Sequence, residues 1–567
     1  MTVHVHPLPV DAVAVADAWF RSLGPPFRGR LLPGDPLISE GGAGWLVWTL
    51  GRELAVVVDA AFPYTRPLVY VRGDRRAMPH VERGGRLCLR NPEIPPDPEA
   101  AVARALGEAR DLLLAIENGS EETDFEEDFG LYWRQGADAG RTARLLLRNV
   151  GASGQIAWTA TEAAVYGFDT PGALRRWWSH RFGTQPAKVR QGALIELDRL
   201  PHPDLFPRTG REFWDLVASR SAGGTNLLEA LLRQTPKGLL TVLAGPAPSG
   251  RRHAVGLMLS RPPDAEGRPV NRRVIERDYR RGQMPAEVHC ERFQVSRLAT
   301  DALDAAMTRL PYQERERLSD ARVAVIGCGA LGSGVARLLA KSGVGHILLV
   351  DHETLGWENI RRHRLGAGAV GLPKATALAR TLARDNPEIG SARALDLRVE
   401  QLLMEDSGAL AGVDLVIACT ATWSVNCALD ELLTGANATP VLYAWMEAHA
   451  LAAHAVLIMP GHSYRMGYDE VGNPRMTASI SDKPLPAECG SSTSPFGAIE
   501  LAHAEALTAR LAMDFLRAKT VETTWRSWLT DATSLADGEG RWTLEWVTTR
   551  GTPDAHGQIV IGPWWQE

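Results

Sequence analysis

Paired CxxC motifs are missing from this 567-residue sequence. Its six cysteines (Cys88, Cys290, Cys328, Cys419, Cys427, Cys489) are scattered, so neither a disulfide framework nor a four-cysteine zinc site is indicated. A reducing, cytoplasmic setting fits that usage. No stretch approaches the ~20 apolar residues of a membrane span, and the opening MTVHVHPLPV lacks the basic start and apolar run of an export signal, so no membrane role is expected. Charge of one sign is lacking too: 62 Lys and Arg against 67 Asp and Glu leave a formal −5, which gives no reason to expect nucleic acid and points to a protein or small molecule as partner. No internal repeat occurs, which excludes a solenoid. What the chain does have is length, enough for roughly three or four domains.

The expected divisions are 1–150, 151–310, 311–530 and 531–567. In the first, apolar residues at helical spacing over 11–23 precede three predicted strands, GWLVWTL, ELAVVVDA and PLVYVR. A loop, MPHVERGGRLCLRN, and a long amphipathic helix, PEAAVARALGEARDLLLAIENG, follow. Cys88 lies in that loop between two leucines, a setting that suits a small buried hydrophobe as well as a nucleophile. DFEEDFGLYW reads as a helix packed on the sheet. The second division alternates helical pieces (TEAAVYGF, EFWDLVASRS, NLLEALLRQT) with strands (GLLTVLAG, HAVGLMLS), a mixed α/β pattern without a catalytic constellation. Its basic run NRRVIERDYRRG is a solvated face or a docking surface, and Cys290 reads as packing.

ARVAVIGCGALGSGVARLLAKSGVGHILLVD is the most specific segment. A buried strand meets Gly327, Gly329 and Gly332, a helix follows, and a second strand ends at Asp351. This is a βαβ nucleotide fold in which glycines admit a phosphate to a helix N-terminus and the acid can bind ribose hydroxyls. The glycines alone leave NAD and ATP unresolved. Asn359, Arg362 and Lys374 come next, and two cations beyond the ribose acid suit a triphosphate better than hydride transfer. Arg361 or Arg364 is the alternative phosphate ligand. Cys489 sits in the Pro/Ser/Gly-rich KPLPAECGSSTSPFG before a long helix, and the stretch from about 460 to 500 reads as a mobile loop. Cys328, Cys419 and Cys427 read as packing. WTLEWV and GQIVIGPWW, with Trp564 and Trp565, suggest a terminal β element that packs aromatic surface, on a subunit partner as one option.

The run from Asp351 through Asn359 and Arg362 to Lys374 resembles the adenylation domain of ubiquitin-activating (E1-like) enzymes and the ThiF-type bacterial relatives of thiamine and molybdopterin biosynthesis, over roughly 320–515. The order helix, three strands, cysteine loop, helix, with PHVERGGRLCL, resembles the ubiquitin-conjugating (E2-like) fold. The fold class expected is therefore multidomain α/β: an α+β conjugating-enzyme-like part, a mixed middle and a Rossmann-like ThiF part.

The resemblance implies that Asp351 holds the ATP ribose and that Asn359, Arg362 and Lys374 contact phosphates while a carboxylate attacks the α-phosphate. Cys489 matches the crossover-loop thiol that captures the acyl group, and Cys88 the conjugating thiol. In the conjugating family a His-Pro-Asn tripeptide puts its Asn eight residues before the cysteine; here that residue is His80, preceded by Pro79, and an imidazole can also donate to an oxyanion. The activating family carries an Asp after its fourth strand that helps hold magnesium, whereas this chain has Ala421 there. Asp414, earlier in the strand, is a poor substitute, and Asp482 in the following loop is the alternative. The protein ligand for a metal stays unknown, and Mg is expected to enter with ATP on its phosphates.

Taken together, a fused activating and conjugating enzyme is expected. It would join the C-terminal carboxylate of a small protein to a target lysine and work as a homodimer. The arrangement resembles bacterial ThiF-type fusions, notably the conjugating component of CBASS antiphage systems, so the small protein is a CD-NTase nucleotidyltransferase or a ubiquitin-like modifier. A sulfur-carrier activating enzyme of cofactor biosynthesis is the alternative. A Rossmann oxidoreductase and a non-catalytic scaffold are further rivals, and Arg362 and Lys374 argue against the first of these.

Overall fold

A computed structural model describes residues 12–564 apart from 74–76, 83, 90–96, 139, 149, 235–237, 263–285, 303–316, 406–409, 411, 434–438, 470–473 and 484–495. Cys489 and the basic run at 271–282 therefore lie outside the described residues. The chain divides into two compact units, one drawn from 1–174 and 187–307 and the other from 175–186 and 308–567.

The first unit opens with helix α1 (Ala12–Ser22), whose Ala12, Ala16 and Phe20 recur at helical spacing and are buried. Four antiparallel strands follow in chain order, β1 (Phe27–Arg30), β2 (Ala43–Thr49), β3 (Arg52–Val58) and β4 (Leu68–Arg72), and then helix α2 (Pro98–Glu117). Pro98 opens α2 after Asp97, which accepts from Ala100 N at 2.7 Å and so satisfies a donor the helix leaves unpaired. Phe20 stacks on Trp45 at 4.7 Å in the core between helices and sheet, both fully buried, and each such burial contributes ~1.5–3 kcal/mol. Strand β1 is the addition to the three expected: FRGR carries one apolar residue and leaves no periodic signal.

Helices α3 (Asp124–Glu127) and α4 (Phe129–Gln135) come next. As expected for this segment its aromatics pack inward, but Phe125, Phe129 and Trp133 join the core of a second, mixed sheet rather than the first. That sheet runs in the order β11-β10-β9-β8-β6-β7-β5-β12, from β5 (Thr142–Leu146), β6 (Gly154–Ala160), β7 (Ala164–Phe168), β8 (Arg190–Glu196), β9 (Gly238–Pro246), β10 (Arg252–Ser260), β11 (Gln294–Arg297) and β12 (Ala299–Ala302). TEAAVYGF, expected helical, forms β7; its five residues from Ala164 to Phe168 are all buried between neighbouring strands, and tertiary burial overrides the local alanine pattern. Cys290 is buried in this core, which pushes its thiol up to about 12.

In the second unit, β13 (Arg322–Ile326), β14 (His346–Val350), β15 (Ser391–Leu395), β16 (Leu415–Ala418) and β17 (Val441–Met446) are parallel. β18 (Ala452–Ile458), β20 (Thr524–Leu529) and β22 (Gln558–Pro563) continue the sheet antiparallel. The order β15-β14-β13-β16-β17 reverses between β13 and β16, the position at which open α/β sheets bind ligands. The small strands β19 (Ser479–Ser481) and β21 (Gly540–Trp542) pair separately.

Two expectations change here. WTLEWV holds not a strand but the helix Leu544–Arg550, because Thr543 caps it by accepting from Trp546 N at 3.1 Å. Within 460–500, the described residues 464–469 and 474–481 are packed rather than mobile: Ser463 and Tyr464 bond to Asp430 at 2.6 and 2.7 Å, and Trp564 stacks on Tyr464 at 5.9 Å. Gly467 is there for closeness, since a Cβ would stand 2.1 Å from the Trp564 ring.

Candidate active site

Cys88 sits on a short hairpin laid against β4. Val81 bridges to Leu87 and Tyr70 to Arg86, while Val71 N donates to Gly85 O and Leu87 N to Val69 O, both at 2.8 Å. Gly85 has φ +84°, and a Cβ there would meet Val71 O at 2.4 Å, so only glycine lets the hairpin approach the strand. Cys88 N donates to His80 O at 2.7 Å, which fastens the two predicted residues together. The thiol is half-buried and 3.8 Å from Glu82 Oε1. Burial first, and then the Glu82 carboxylate, hold it above the ordinary thiol value, with Arg86 opposing.

His80 adopts φ 56°, a left-handed backbone uncommon for a side-chain-bearing residue. The cause is a clamp from α3 and α4: its N–H donates to Tyr132 Oη at 2.7 Å and to Asp124 Oδ2 at 3.2 Å, and Tyr132 Oη bonds to Asp124 in turn. Its ring Nε2 lies 3.0 Å from Glu121 Oε2 and 3.2 Å from Asp124 Oδ1. With Nε2–H given to carboxylates, the ring donates through Nδ1 only as an imidazolium. Asp128 also acts on Cys88, and burial followed by Asp124 raises its own carboxyl above the usual range. Glu121, Asp124, Asp128 and Tyr132 were not singled out from the sequence. They stand 41 to 52 residues from His80 in the contacts they make with it, and no local pattern signals such a pairing.

In the second unit the three glycines play different parts. Gly327 (φ +83°) turns the chain out of β13, and a Cβ on Gly332 would fall 1.8 Å from Gly327 O. Gly329 caps the helix Ala330–Lys341, and a Cβ there meets nothing within 4 Å. Packing thus accounts for Gly327 and Gly332, while Gly329 opens onto space at a helix N-terminus, where backbone N–H groups favour an anion. Asp351, buried at the end of β14, accepts from Cys328 N and Glu353 N at 2.7 Å each, so it braces the loop. Each of its oxygens keeps a lone pair that a ribose hydroxyl can use.

His363 is a further brace that sequence reading missed. Its ring bonds Cys328 O at 2.6 Å through Nε2 and accepts from Leu365 N at 3.0 Å through Nδ1, and burial lowers its pKa, all of which fits the neutral tautomer. Cys328 itself is fully buried, and burial pushes the Cys419 thiol up to about 12, in keeping with packing roles.

Asn359 caps the turn Trp357–Asn359 by accepting from Gly356 N at 3.0 Å. The Arg362 guanidinium lies over the Phe496 ring at 4.8 Å, and Arg364 is paired with the buried Glu505. That pairing makes Arg364 the less available of the two for phosphate. Lys374 is buried at the start of the helix Lys374–Asp385 and bonds Glu353 at 2.5 Å, which holds the Glu353 carboxyl below its ordinary range. A cationic, donor-rich wall thus follows the glycine loop.

No described residues fit a protein-held metal. Ala421 follows β16 with φ 52° and carries no donor. Asp414 is at the opposite end of β16, accepting from Arg322 N at 2.7 Å, and Asp482 is paired with Arg541. Among the described residues no group of three or more His, Cys, Asp or Glu could hold an ion, and no helix is long and apolar enough to cross a membrane.

Two family models match parts of the chain. Residues 303–479 match the ThiF family and residues 44–141 match Prokaryotic E2 family B. The chain is 28% identical over 162 residues to ubiquitin-like modifier-activating enzyme 5 of Oryza sativa subsp. japonica, covering 26% of this chain and 37% of that protein. It is 37% identical over 116 residues to the molybdopterin-synthase adenylyltransferase of Salmonella typhimurium, covering 20% and 45% respectively. The chain thus spans less than half the length of these curated relatives. Among solved structures, E. coli MccB aligns over 45% of this chain and 66% of its own, at 19% identity and a TM-score of 0.32.

Proposed function

We propose that this chain, which fuses a prokaryotic E2 family B domain to a ThiF domain, activates the C-terminal carboxylate of a small protein with ATP and transfers it through two thiols to a lysine. The observation that carries the reading is the open Gly329 at the sheet's reversal point, followed by Asn359, Arg362 and Lys374. There the carboxylate oxygen attacks the α-phosphate and pyrophosphate leaves. Asp351 takes the ribose, and Arg362 and Lys374 offset charge on the phosphates, Lys374 exchanging Glu353 for the nucleotide. Mg arrives on the triphosphate. The Cys489 thiolate then attacks the acyl carbon and AMP leaves, and the Cys88 thiolate takes the acyl group while Cys489 regains its thiolate. Finally the lysine amine attacks, and the Cys88 sulfur departs with a proton.

The carboxylates that disfavour a Cys88 thiolate favour a lysine ammonium beside it, and His80 serves the oxyanion through Nδ1–H. The reading divides the chain at 150, 310 and 530, makes the enzyme a cytoplasmic homodimer, and takes as modifier a CD-NTase or ubiquitin-like protein in a CBASS-like defence setting. The identity shared with molybdopterin-synthase adenylyltransferase favours one other reading, a sulfur-carrier activating enzyme that does not use Cys88.

Expression of Cys88→Ser with its genomic neighbours separates the two. An oxyester joining a protein C-terminus to Ser at position 88 is expected by mass spectrometry. Loading at Cys489 with none at 88 would favour the sulfur-carrier reading. In the same system Cys489→Ala should keep ATP–pyrophosphate exchange but lose both thioesters, whereas Cys88→Ala should keep the thioester at Cys489. Equal loss of exchange in both variants would sink the relay.

A further inference from the structure

Beside the Cys88 hairpin lies a cleft of about 280 Å³ whose polar lining is Asp128, Arg134, Arg251, Arg252, His253 and Thr300. Helix α4 walls both places. Tyr132 holds the His80 backbone, while Gly130, Leu131 and Arg134 face the cleft. Asp128 belongs to both, since it lines the cleft and acts electrostatically on Cys88 and His80.

Two of the three arginines that line this cleft are already paired. Arg134 bonds Asp301 at 2.7 Å and the Thr300 carbonyl at 3.0 Å, and Arg252 pairs with Glu196. Among the described residues the Arg251 side chain makes no hydrogen bond or ion pair, and its Nε is buried without an acceptor. Arg252 Nε and His253 Nε2 are buried without partners too, and His253 is only 6% exposed. Three successive residues that withhold polar nitrogens from water without a partner are a costly arrangement that native structures rarely keep without a reason. Among the described residues Asp128 is the lone carboxylate in the lining. With Arg134 and Arg252 already neutralised, Arg251 and Asp128 leave the lining near neutral, so it accommodates one added carboxylate on Arg251 better than a doubly charged phosphate.

We infer that this cleft reads the acceptor polypeptide: Arg251 receives a Glu or Asp side chain lying a few residues from the lysine presented to Cys88. The assignment rests on the proposed role of Cys88 as the last acyl carrier. An acidic residue near the lysine would then set which targets are modified, with the carboxylates around His80 drawing in the ammonium and Arg251 the neighbouring anion.

The test needs neither modifier nor ATP, so it fails or succeeds independently of the thioester relay. Lysine peptides bearing an Nε-chloroacetyl group, with Glu or Gln placed one to four residues to either side, are reacted with the full-length protein, and alkylation at Cys88 is timed by mass spectrometry. Sulfur displaces chloride, so the reading is a rate at one residue. The best-placed Glu peptide is expected to react roughly tenfold faster than its Gln counterpart. Arg251→Gln should erase that preference while leaving the Gln-peptide and iodoacetamide rates unchanged, and Arg251→Lys should restore part of it. Equal Glu and Gln rates at every position in the unmodified protein, or a preference that survives Arg251→Gln with iodoacetamide reactivity intact, would overturn the assignment. A phosphoserine peptide that outruns the Glu peptide would overturn the choice of a carboxylate.

Discussion

At Cys88 one neighbour sets much of the chemistry. Glu82 raises the thiol's pKa and also engages Arg86, whose effect is opposite. Glu82→Gln removes the first influence and frees the second, so alkylation at Cys88 by iodoacetamide at pH 7 is expected to quicken roughly 3- to 10-fold, with its pH profile displaced downward. His253 gives a prediction in stability instead. Burial depresses its pKa from 6.5 to about 4, so the unfolded chain binds this proton more readily than the folded one. The stability this neutral ring contributes is complete above pH 6.5 and drains away as pH falls toward 4, by at most about 3 kcal/mol. His253→Gln should therefore flatten the fall in thermal midpoint between pH 6.5 and 4 relative to the unmodified chain, and parallel curves would refute it.

Among elements, the glycine loop offers the cleanest separation of structure from function. Gly329→Ala adds a methyl group into open space at a cap with φ −73°, which alanine tolerates, so the thermal midpoint should stay within a degree or two of its value while ATP–pyrophosphate exchange is lost. Gly332→Ala drives a Cβ to 1.8 Å from Gly327 O and should lose exchange and stability together. Differential scanning fluorimetry beside the exchange assay distinguishes them. This loop was readable in the sequence because its constraints are local: a strand, three glycines and an acid within 30 residues. The helices α1 and α2 and the strands β2 to β4 were readable for the same reason. Strand β1 was not, lacking an apolar stripe, and the helix Leu544–Arg550 was hidden by Trp542, Leu544 and Trp546, which alternate as a strand would while Thr543 capped a helix. Least visible were the Asp124–Tyr132 clamp on His80 and the His363 brace on Cys328, where partners meet only through tertiary folding.

For the whole molecule the boundary between the units is not a single cut. Residues 175–186 group with the second unit although the chain on either side of them belongs to the first. A fragment ending at residue 307 therefore keeps this segment without its unit. Limited trypsin digestion of such a fragment should cleave at Arg175, Arg176 and Arg181 well before the full-length chain is cut there, and equal protection would refute the grouping. The same interleaving imposes an order on birth. Domains form as they leave the ribosome, at roughly 5–20 residues per second. Residues 175–186 emerge more than a hundred residues ahead of the unit that houses them, so for about ten seconds or longer each nascent chain carries an unhoused stretch with two tryptophans, a window in which a trigger-type chaperone has something to hold.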